Sequence, residues 1–322
     1  MCCGESCKVY EDTQMKEPLV SVCCMAYNHA SYIRQCLDGF MMQKTNFLFE
    51  VLIHDDASTD GTQEIIREYA DRYPELINPI YQIENQYSKG ISPLRQILFP
   101  MAKGKYIALC EGDDYWIDPL KLQKQVDFLE SHNELTFCVH RYKRFFVISN
   151  IVEDDLHPGL FLGKEFLVID NNLFKRYWLT QPLTALIRRD LYAYIVDESR
   201  SYRFFRDINT FYFLLKKGNG GCMNFYGGVY NIHGNGVQSG LNVLGKLNAN
   251  FNVIKELCEK NPLDEVLKYK IANIIIMMLK QTGSITPLLC IGKVNVSLRS
   301  KLRIFSELIS QGFNHFIRKI VK

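Results

Sequence analysis

Apolar runs and amphipathic segments alternate along the first 130 residues. The run Leu19–Ala26 is almost continuously apolar, which is typical of a strand covered on both faces of a parallel sheet. Phe49–His54 and Tyr106–Cys110 have the same character, whereas Tyr32–Met42 and Thr62–Tyr73 repeat apolar residues at helical spacing. The alternation predicts βαβ units and therefore an α/β fold, built on a doubly wound, mostly parallel sheet with flanking helices.

Weaker patterns fill the gaps between these segments. They predict a short strand near Ile80–Glu84, a helix over about Pro93–Ala102 and a sheet strand over Leu179–Arg189. Asp118 and Pro119 are expected to open another helix, with Asp as N-cap and Pro in the first turn.

Three regions follow from these patterns. Residues 1–17 are polar and predict a disordered leader. Residues 18–240 form the predicted catalytic α/β domain, and residues 241–322 form a mainly helical C-terminal region.

Acidic residues come directly after two of the predicted strands. Asp55 and Asp56 follow one strand and open a turn with a third acid, Asp60, more acids than helix capping requires. Glu111, Asp113 and Asp114 follow another strand, and adjacent acids repel each other unless they share a cation. Ligands of such sheets bind beyond the carboxyl ends of the strands. We therefore expect a nucleotide at the first cluster, where a carboxylate can accept a uracil imide N–H, and Mg²⁺ or Mn²⁺ at the second.

These motifs, in this order, resemble family 2 glycosyltransferases with the GT-A nucleotide-diphospho-sugar fold. The resemblance covers Pro18 to about Leu129 and rests on three runs, PLVSVCCMAYNHASYIRQCLDGF, DDASTDGT and RQILFPMAKGKYIALCEGDDYW. It implies an inverting, metal-requiring transfer of sugar from a nucleotide diphosphate donor to a hydroxyl of a glycan or lipid-linked acceptor. By analogy with the family, the product belongs to a surface polysaccharide.

The resemblance also implies roles for residues on the donor side. Tyr27 and Asp56 are expected to contact the nucleotide base, and Asp55 to shape that pocket. Arg95 is expected near the base or the diphosphate.

The metal motif is implied by the same resemblance. Asp114 is expected to ligate the metal directly, and Asp113 to lie by the ribose or the metal. Glu111 stands where the family more often has Asp, so its role is left open.

Two residues of the second half complete the expected site. Asp207 opens a predicted helix about ninety residues after the metal motif and resembles the family's acceptor-side acid, so we assign it as the catalytic base. A lone Asp at a helix start is also commonly a cap. His233 lies in a glycine-flanked run that resembles a closing loop, where it is expected to bind a phosphate or complete the metal shell.

Composition and charge exclude several other classes. The chain has 322 residues, 47% apolar, with a net charge of +3, so no nucleic-acid partner is indicated. No signal peptide and no apolar run of bilayer length is present, which predicts a cytoplasmic protein. Cys23, Cys24, Cys110 and Cys138 lie in apolar runs and are expected to be buried free thiols.

The C-terminal tail is the basic part of the chain. Between Lys280 and Lys322, eight basic residues accompany one acid, and the pattern from about Arg299 onward predicts a helix with an apolar and a basic face. Such a helix suits an anionic membrane surface, although packing on the protein explains the apolar stripe equally well.

Three other functions compete with this interpretation. A nucleotidyltransferase would carry a Gly- and basic-rich loop after its first strand, where this chain has Tyr27 to Ala30. A Rossmann dehydrogenase would carry G-x-G-x-x-G there. A catalytically silent sugar-nucleotide-binding scaffold stays open as the alternative. A UDP-sugar is favoured because Asp56 suits uracil, with dTDP and GDP donors left open.

Overall fold

The computed structural model describes residues 17–234, 241–282, 301–304 and 306. In these residues a ten-stranded mixed sheet is covered by helices on both faces. The leader 1–17 lies outside this part except for its last residue, and the tail beyond residue 306 lies outside it entirely.

The strands follow the chain in this order: β1 (Val20–Ala26), β2 (Phe49–Asp55), β3 (Ile77–Tyr81), β4 (Tyr106–Glu111), β5 (Tyr115–Trp116), β6 (Phe137–Phe146), β7 (Ile151–Glu153), β8 (Phe166–Ile169), β9 (Leu186–Arg188) and β10 (Gly220–Ile232).

The α-helices are α1 (Ile33–Met41), α2 (Thr62–Arg72), α3 (Phe99–Met101), α4 (Lys121–Ser131), α5 (Asn171–Arg176), α6 (Tyr192–Arg200), α7 (Asp207–Lys217), α8 (Val243–Lys260) and α9 (Glu265–Thr282).

The sheet is parallel in its first half and mixed in its second. Its order is β3-β2-β1-β4-β9-β6-β10-β5, with β7 beside β6 and β8 beside β10. β1 pairs in parallel with both β2 and β4, so the carboxyl ends of these three strands lie at one edge. In this register Asp55 lies opposite Ala26 and Glu111 lies opposite Met25, which places both acidic clusters beside the tip of β1.

Each face of the sheet carries its own apolar core. One core packs α1, α2 and α4 on the sheet through residues such as Leu37, Ile66 and Leu122, all fully buried. The other core includes Phe211 of α7, Leu257 of α8 and further residues of α9. The first two C-terminal helices therefore share a core with the sheet. No helix of the described residues has the length and apolarity needed to cross a membrane.

The α/β fold class is confirmed, and four local expectations need correction. The strand expected near residues 80–84 is β3, Ile77–Tyr81, because the chain pairs with β2 earlier than the apolar pattern suggested. The helix expected over about 93–102 is present, but it is not a regular α-helix: a π-helical turn, Leu94–Leu98, leads into α3. The strand expected over 179–189 shortens to β9, because Pro182–Thr184 forms a 3₁₀ turn.

The fourth correction concerns the start of α4. The helix begins at Lys121 with Leu120 as its N-cap, so Asp118 and Pro119 precede it. Asp118 instead closes a local turn, since its carboxylate accepts the Leu120 N–H at 2.8 Å.

The cysteines of the described residues behave as expected. Cys23, Cys24, Cys110 and Cys138 are buried and free, as are the other cysteines of this part of the chain.

Candidate active site

Three carboxylates converge where β4 ends. One oxygen from each of Glu111, Asp113 and Asp114 lies within 4.8 Å of the others. The turn is tight because the Gly112 N–H donates to the Met25 carbonyl at 2.8 Å, beside the tip of β1. A Cβ on Gly112 would stand 2.9 Å from the His29 ring, so the turn requires glycine.

The end of β10 fixes two of these acids. The Asn231 backbone N–H donates to Asp114 Oδ1 at 2.9 Å, and the Asn231 side chain donates to the Asp113 carbonyl at 2.6 Å. The Asp114 carboxylate is thereby held in a buried position, 117 residues away from its partner in sequence.

Two imidazoles flank Asp113. His233 Nε2 lies 2.9 Å from Asp113 Oδ2, and His29 Nε2 lies 3.8 Å from the same oxygen. His233 stacks on Tyr32 of the segment before α1, with ring centroids 4.6 Å apart. The expected phosphate or metal contact of His233 stays a prediction, but the residue does reach the acidic cluster.

The cluster concentrates negative charge in a buried place. Burial raises the pKa of Asp114 well above its ordinary value, and the charges of Asp113 and Glu111 add to the effect. Burial raises the pKa of Glu111 to about 8, again with help from neighbouring carboxylates. Asp113 goes the other way: burial opposes its ionisation, but the His233 hydrogen bond and the nearby His29 outweigh it and lower the pKa.

This chemistry fits a hard divalent cation. All three ligand groups are carboxylates, and a cation would offset the mutual repulsion that raises two of their pKa values. Within the described residues, Asp113 Oδ1 is also buried without a hydrogen-bond partner. The residues present therefore suit Mg²⁺ or Mn²⁺ better than a soft metal, which prefers thiolates.

Strand β1 lies between β2 and β4, so the turn after β2 lies on one side of the β1 tip and the acidic cluster lies on the other. Asp55 accepts hydrogen bonds from the Ser58 N–H at 3.0 Å and from the Gln63 side chain at 2.6 Å, so it shapes the turn. Both carboxylate oxygens of Asp56 accept backbone N–H groups, from Gln86 at 2.6 Å and Tyr87 at 3.1 Å. The base contact expected of Asp56 stays a prediction, and the carboxylate has a second role as an anchor for the segment after β3.

Tyr27 follows β1 directly and is 47% exposed. The next residue, Asn28, takes a left-handed conformation with φ of 54°. Its backbone N–H donates to Ser58 Oγ and its side chain accepts the Thr59 N–H, both at 2.9 Å. Tyr27 is therefore exposed beside the Asp55 turn, and its expected base contact stays a prediction.

Arg95 lies in the π-helical turn Leu94–Leu98. Its guanidinium carbon stands 4.2 Å from the centre of the Phe205 ring, in the segment that leads to Asp207. The expected donor contact of Arg95 stays a prediction. The contact of Arg95 with Phe205 was not predicted from the sequence.

Asp207 is the first residue of α7, and Arg206 is its N-cap. Its carboxylate accepts the N–H of the adjacent Ile208 at 2.9 Å. Burial raises the pKa of Asp207, and Arg206 opposes that rise. The charge of Asp207 is in turn near enough to raise the pKa of Glu111, so the fold brings Asp207 to the acidic cluster.

Two further residues of the site were missed from the sequence. The partly buried phenol of Tyr230 lies in the field of all four carboxylates, and after burial these charges are what raises its pKa. His29 lies beside Asp113, and burial lowers the pKa of its imidazole. His29 could have been suspected from its position just beyond the first strand. Tyr230 begins the run 230–239 that resembles a closing loop, but it lies in β10, and only the tertiary fold brings β10 to the end of β4.

Comparison with known proteins agrees with this geometry. The model of glycosyl transferase family 2 matches residues 21–204, more than half of the chain, and the chain therefore belongs to that family. The matched range contains both acidic clusters and ends three residues before Asp207.

Several curated relatives are similar to part of this chain. An uncharacterized protein of Mycobacterium tuberculosis is 51% identical over 121 residues, 38% of this chain and 34% of its own length. The putative teichuronic acid biosynthesis glycosyltransferase TuaG of Bacillus subtilis is 30% identical over 63% of this chain and 74% of its own. The Escherichia coli UDP-Glc:alpha-D-GlcNAc-diphosphoundecaprenol beta-1,3-glucosyltransferase WfaP is 34% identical over 41% and 50%. The chain thus spans about a third of the length of the mycobacterial relative.

Solved structures share the fold. TarS of S. aureus in complex with UDP-GlcNAc superposes with a TM-score of 0.58 at 17% identity, covering 92% of this chain and 80% of TarS. The mannosyltransferase PcManGT of Pyrobaculum calidifontis, solved with GDP-Man and Mn²⁺, gives 0.51 at 15% identity, covering 94% and 88%. These likenesses confirm the expected GT-A type of fold.

Proposed function

We propose that this chain is an inverting glycosyltransferase that moves a sugar from a UDP-sugar to a hydroxyl of a glycan or lipid-linked acceptor. The observation that carries the proposal is the group of carboxylates from Glu111 to Asp114 beside the tip of β1, with Asp207 near it. The acids after β4 suit a cation that binds a diphosphate, and Asp207, from a different part of the chain, suits a proton acceptor.

The donor binds along the edge formed by β1, β2 and β4. In this proposal Tyr27 and Asp56 contact the base, Asp55 keeps the turn in shape, and Arg95 lies near the base or the diphosphate. His233 and Asp113 reach the diphosphate side of the donor, where their hydrogen bond already joins β10 to the cluster.

The reaction is a single displacement at the anomeric carbon. The acceptor oxygen forms a bond to that carbon as its proton passes to Asp207, and the bond to the diphosphate oxygen breaks with its electron pair leaving on UDP. Mn²⁺ or Mg²⁺ held by Asp114 and Asp113 would supply positive charge against the diphosphate. One displacement inverts the anomeric configuration, and no protein nucleophile is required.

The place of action follows from the acceptor and is part of the same proposal. We place the enzyme in the cytoplasm, peripherally on the inner face of the membrane, in surface polysaccharide synthesis. The support is the relation to TuaG and WfaP, whose names refer to teichuronic acid and to a diphosphoundecaprenol acceptor. The basic amphipathic pattern of the tail also suits this location; only residues 301–304 and 306 of the tail are described, and there Arg303 donates to Asn273 of α9.

Donor hydrolysis tests the proposal without knowledge of the acceptor. The protein is incubated with UDP-glucose, UDP-N-acetylglucosamine, a dTDP-sugar and GDP-mannose, with Mn²⁺, with Mg²⁺ or with EDTA, and released nucleoside diphosphate is measured. We expect slow release of UDP that needs the metal. Tight binding of a nucleotide sugar with no turnover, even with a GlcNAc-diphospholipid added, would favour the silent scaffold instead.

A further inference from the structure

The segment Ser201–Arg206 leads into Asp207 and has no regular secondary structure. Its backbone is nevertheless fixed from outside. The two carboxylate oxygens of Glu256, on α8, accept the backbone N–H groups of Arg203 and Phe204, each at 2.8 Å. The residues on the two sides of this contact are more than 50 positions apart in sequence.

Other residues of α8 and its C-cap hold the same segment. The Lys260 ammonium donates to the Ser201 carbonyl, and the Asn261 side chain donates to the Tyr202 hydroxyl at 3.2 Å. Near the other end of the segment, the Arg206 guanidinium donates to Asn250 at 3.4 Å. From residue 201 to residue 206, the contacting residues therefore run from the C-terminal end of α8 back toward its middle.

Glu256 makes two of these contacts through a single carboxylate. A carboxylate that accepts two successive N–H groups forms charge-assisted hydrogen bonds, which are shorter and about twice as strong as neutral ones. In addition, the Arg95 guanidinium stacks on Phe205 of the same segment. The segment therefore contacts both a helix of the C-terminal region and a helical turn of the donor half.

We propose that Glu256 is a positioning residue that aims Asp207 at the acceptor hydroxyl. The inference rests on the proposed function, because it takes Asp207 to be the base. Among the described residues, the Glu256 carboxylate bonds to this segment and not to the acidic cluster. It acts by fixing the backbone that enters α7, and small misplacements of a catalytic group cost large factors in rate.

The test uses Glu256→Gln in the full chain. The amide keeps one acceptor oxygen but turns an NH₂ group toward the second N–H, with almost no change in size. Glu259→Gln is the matched control, because Glu259 lies on the same helix, is exposed and pairs only with Lys255 among the contacts described. Glu256→Asp keeps both acceptor oxygens on a shorter side chain and serves as the rescue variant.

Two kinds of measurement separate positioning from a structural role. Transfer from UDP-glucose to a short-chain GlcNAc-diphospholipid is compared with hydrolysis of UDP-glucose by water, and amide exchange is followed in peptides covering residues 201–206. In Glu256→Gln we expect kcat for transfer to fall about 10- to 100-fold, transfer to fall more than hydrolysis, and exchange to rise. Affinity for UDP with Mn²⁺ should stay within about twofold of wild type, and Glu256→Asp should recover part of the loss.

The outcomes are distinct. Faster exchange with unchanged transfer would overturn the positioning role, as would an equal fall of transfer, hydrolysis and UDP affinity, which indicates general damage to the fold. A wild type that turns over no nucleotide sugar would reject the proposed function and this role together, whereas the exchange data would still show whether Glu256 holds the segment.

Discussion

The donor edge and the acceptor side of this site are built in different ways. On the donor edge, Asp55 and Glu111 end parallel strands that pair with β1, so the sheet ladder fixes their backbones. On the acceptor side, Asp207 follows an irregular segment that Glu256 holds from a helix about fifty residues further on. Short local motifs are enough to specify the first arrangement, whereas the second depends on contacts between distant parts of the chain.

The largest expected effect breaks the donor edge alone. Asp114→Asn removes a charge from the proposed metal site, and we expect turnover to fall by at least about 10³-fold, because metal charge stabilisation contributes several kcal/mol. The fold should persist, since the Asn231 N–H can donate to the amide oxygen instead. Donor hydrolysis over a range of Mn²⁺ concentrations, alongside a melting curve, measures both.

The matched control is Asp127→Asn, at an exposed position of α4 that contacts Gln123. It should hydrolyse the donor like wild type. Near-normal turnover of Asp114→Asn would show that Asp114 does not ligate the metal, and the proposed metal site would then be wrong.

A second variant tests the acceptor side while sparing the donor edge. Asp207→Asn should slow transfer about 10²- to 10⁴-fold, the usual contribution of a general base. Binding of UDP with Mn²⁺, measured by isothermal titration, should be retained because Asp207 acts on the acceptor. Asp197→Asn, at an exposed position of α6 paired with Arg200, is the control. If donor affinity falls together with transfer, Asp207 belongs to the donor edge and the two sides are not separable.

The smallest effect concerns stability beneath the donor edge. Lys121 of α4 is fully buried, with its ammonium 3.7 Å from the centre of the Trp116 ring. Burial lowers the pKa of Lys121 to about 7. Between pH 7 and roughly 10.4 the unfolded chain therefore binds a proton that the folded chain does not, so this group makes stability rise with pH across that window. Below pH 7 Lys121 is charged in the folded chain as well, so the destabilising effect of the buried ammonium is fully present.

Lys121→Met should accordingly melt at least about 3 °C higher than wild type at pH 7, and the difference should shrink as the pH approaches 10. Melting curves across pH 6–10 measure this. Lys124→Met is the control. Lys124 lies on the same helix as Lys121, is partly exposed and pairs with Asp118, so the difference in melting temperature that this change causes should not shrink as the pH rises. A constant difference across the pH range for Lys121→Met would mean that Lys121 is not buried as a neutral amine.

The sequence predicted the donor half well for a physical reason. Runs such as Leu19–Ala26 carry the signature of a strand buried on both faces, and an acid after such a strand lies at the ligand edge of a parallel sheet. Local predictions were wrong where turn chemistry overrode the apolar pattern. Pro182–Thr184 interrupts an apolar run with a 3₁₀ turn, and Leu120 rather than Asp118 precedes α4.

The rest of the site could not be predicted because nothing local encodes it. Asn231 and Tyr230 look like ordinary strand residues until β10 returns beside the end of β4. Glu256 looks like one more charge on an amphipathic helix, and its role depends on where α8 packs. Asp207 was singled out by resemblance to the family, which located it without revealing what holds it.

The pair of turns after β1 and β2 has a consequence for how the chain can change length. Backbone N–H groups of residues 28–30 donate to side chains of Ser58, Thr62 and Asp60, at 2.9, 2.8 and 3.0 Å. Surface turns ordinarily tolerate inserted residues. Here a single inserted residue in either turn would shift the N–H groups of residues 28–30 away from the side-chain oxygens that accept them. A change in the length of one turn therefore requires a matching change in the other. Engineered loop grafts at this edge should therefore exchange both turns as a unit.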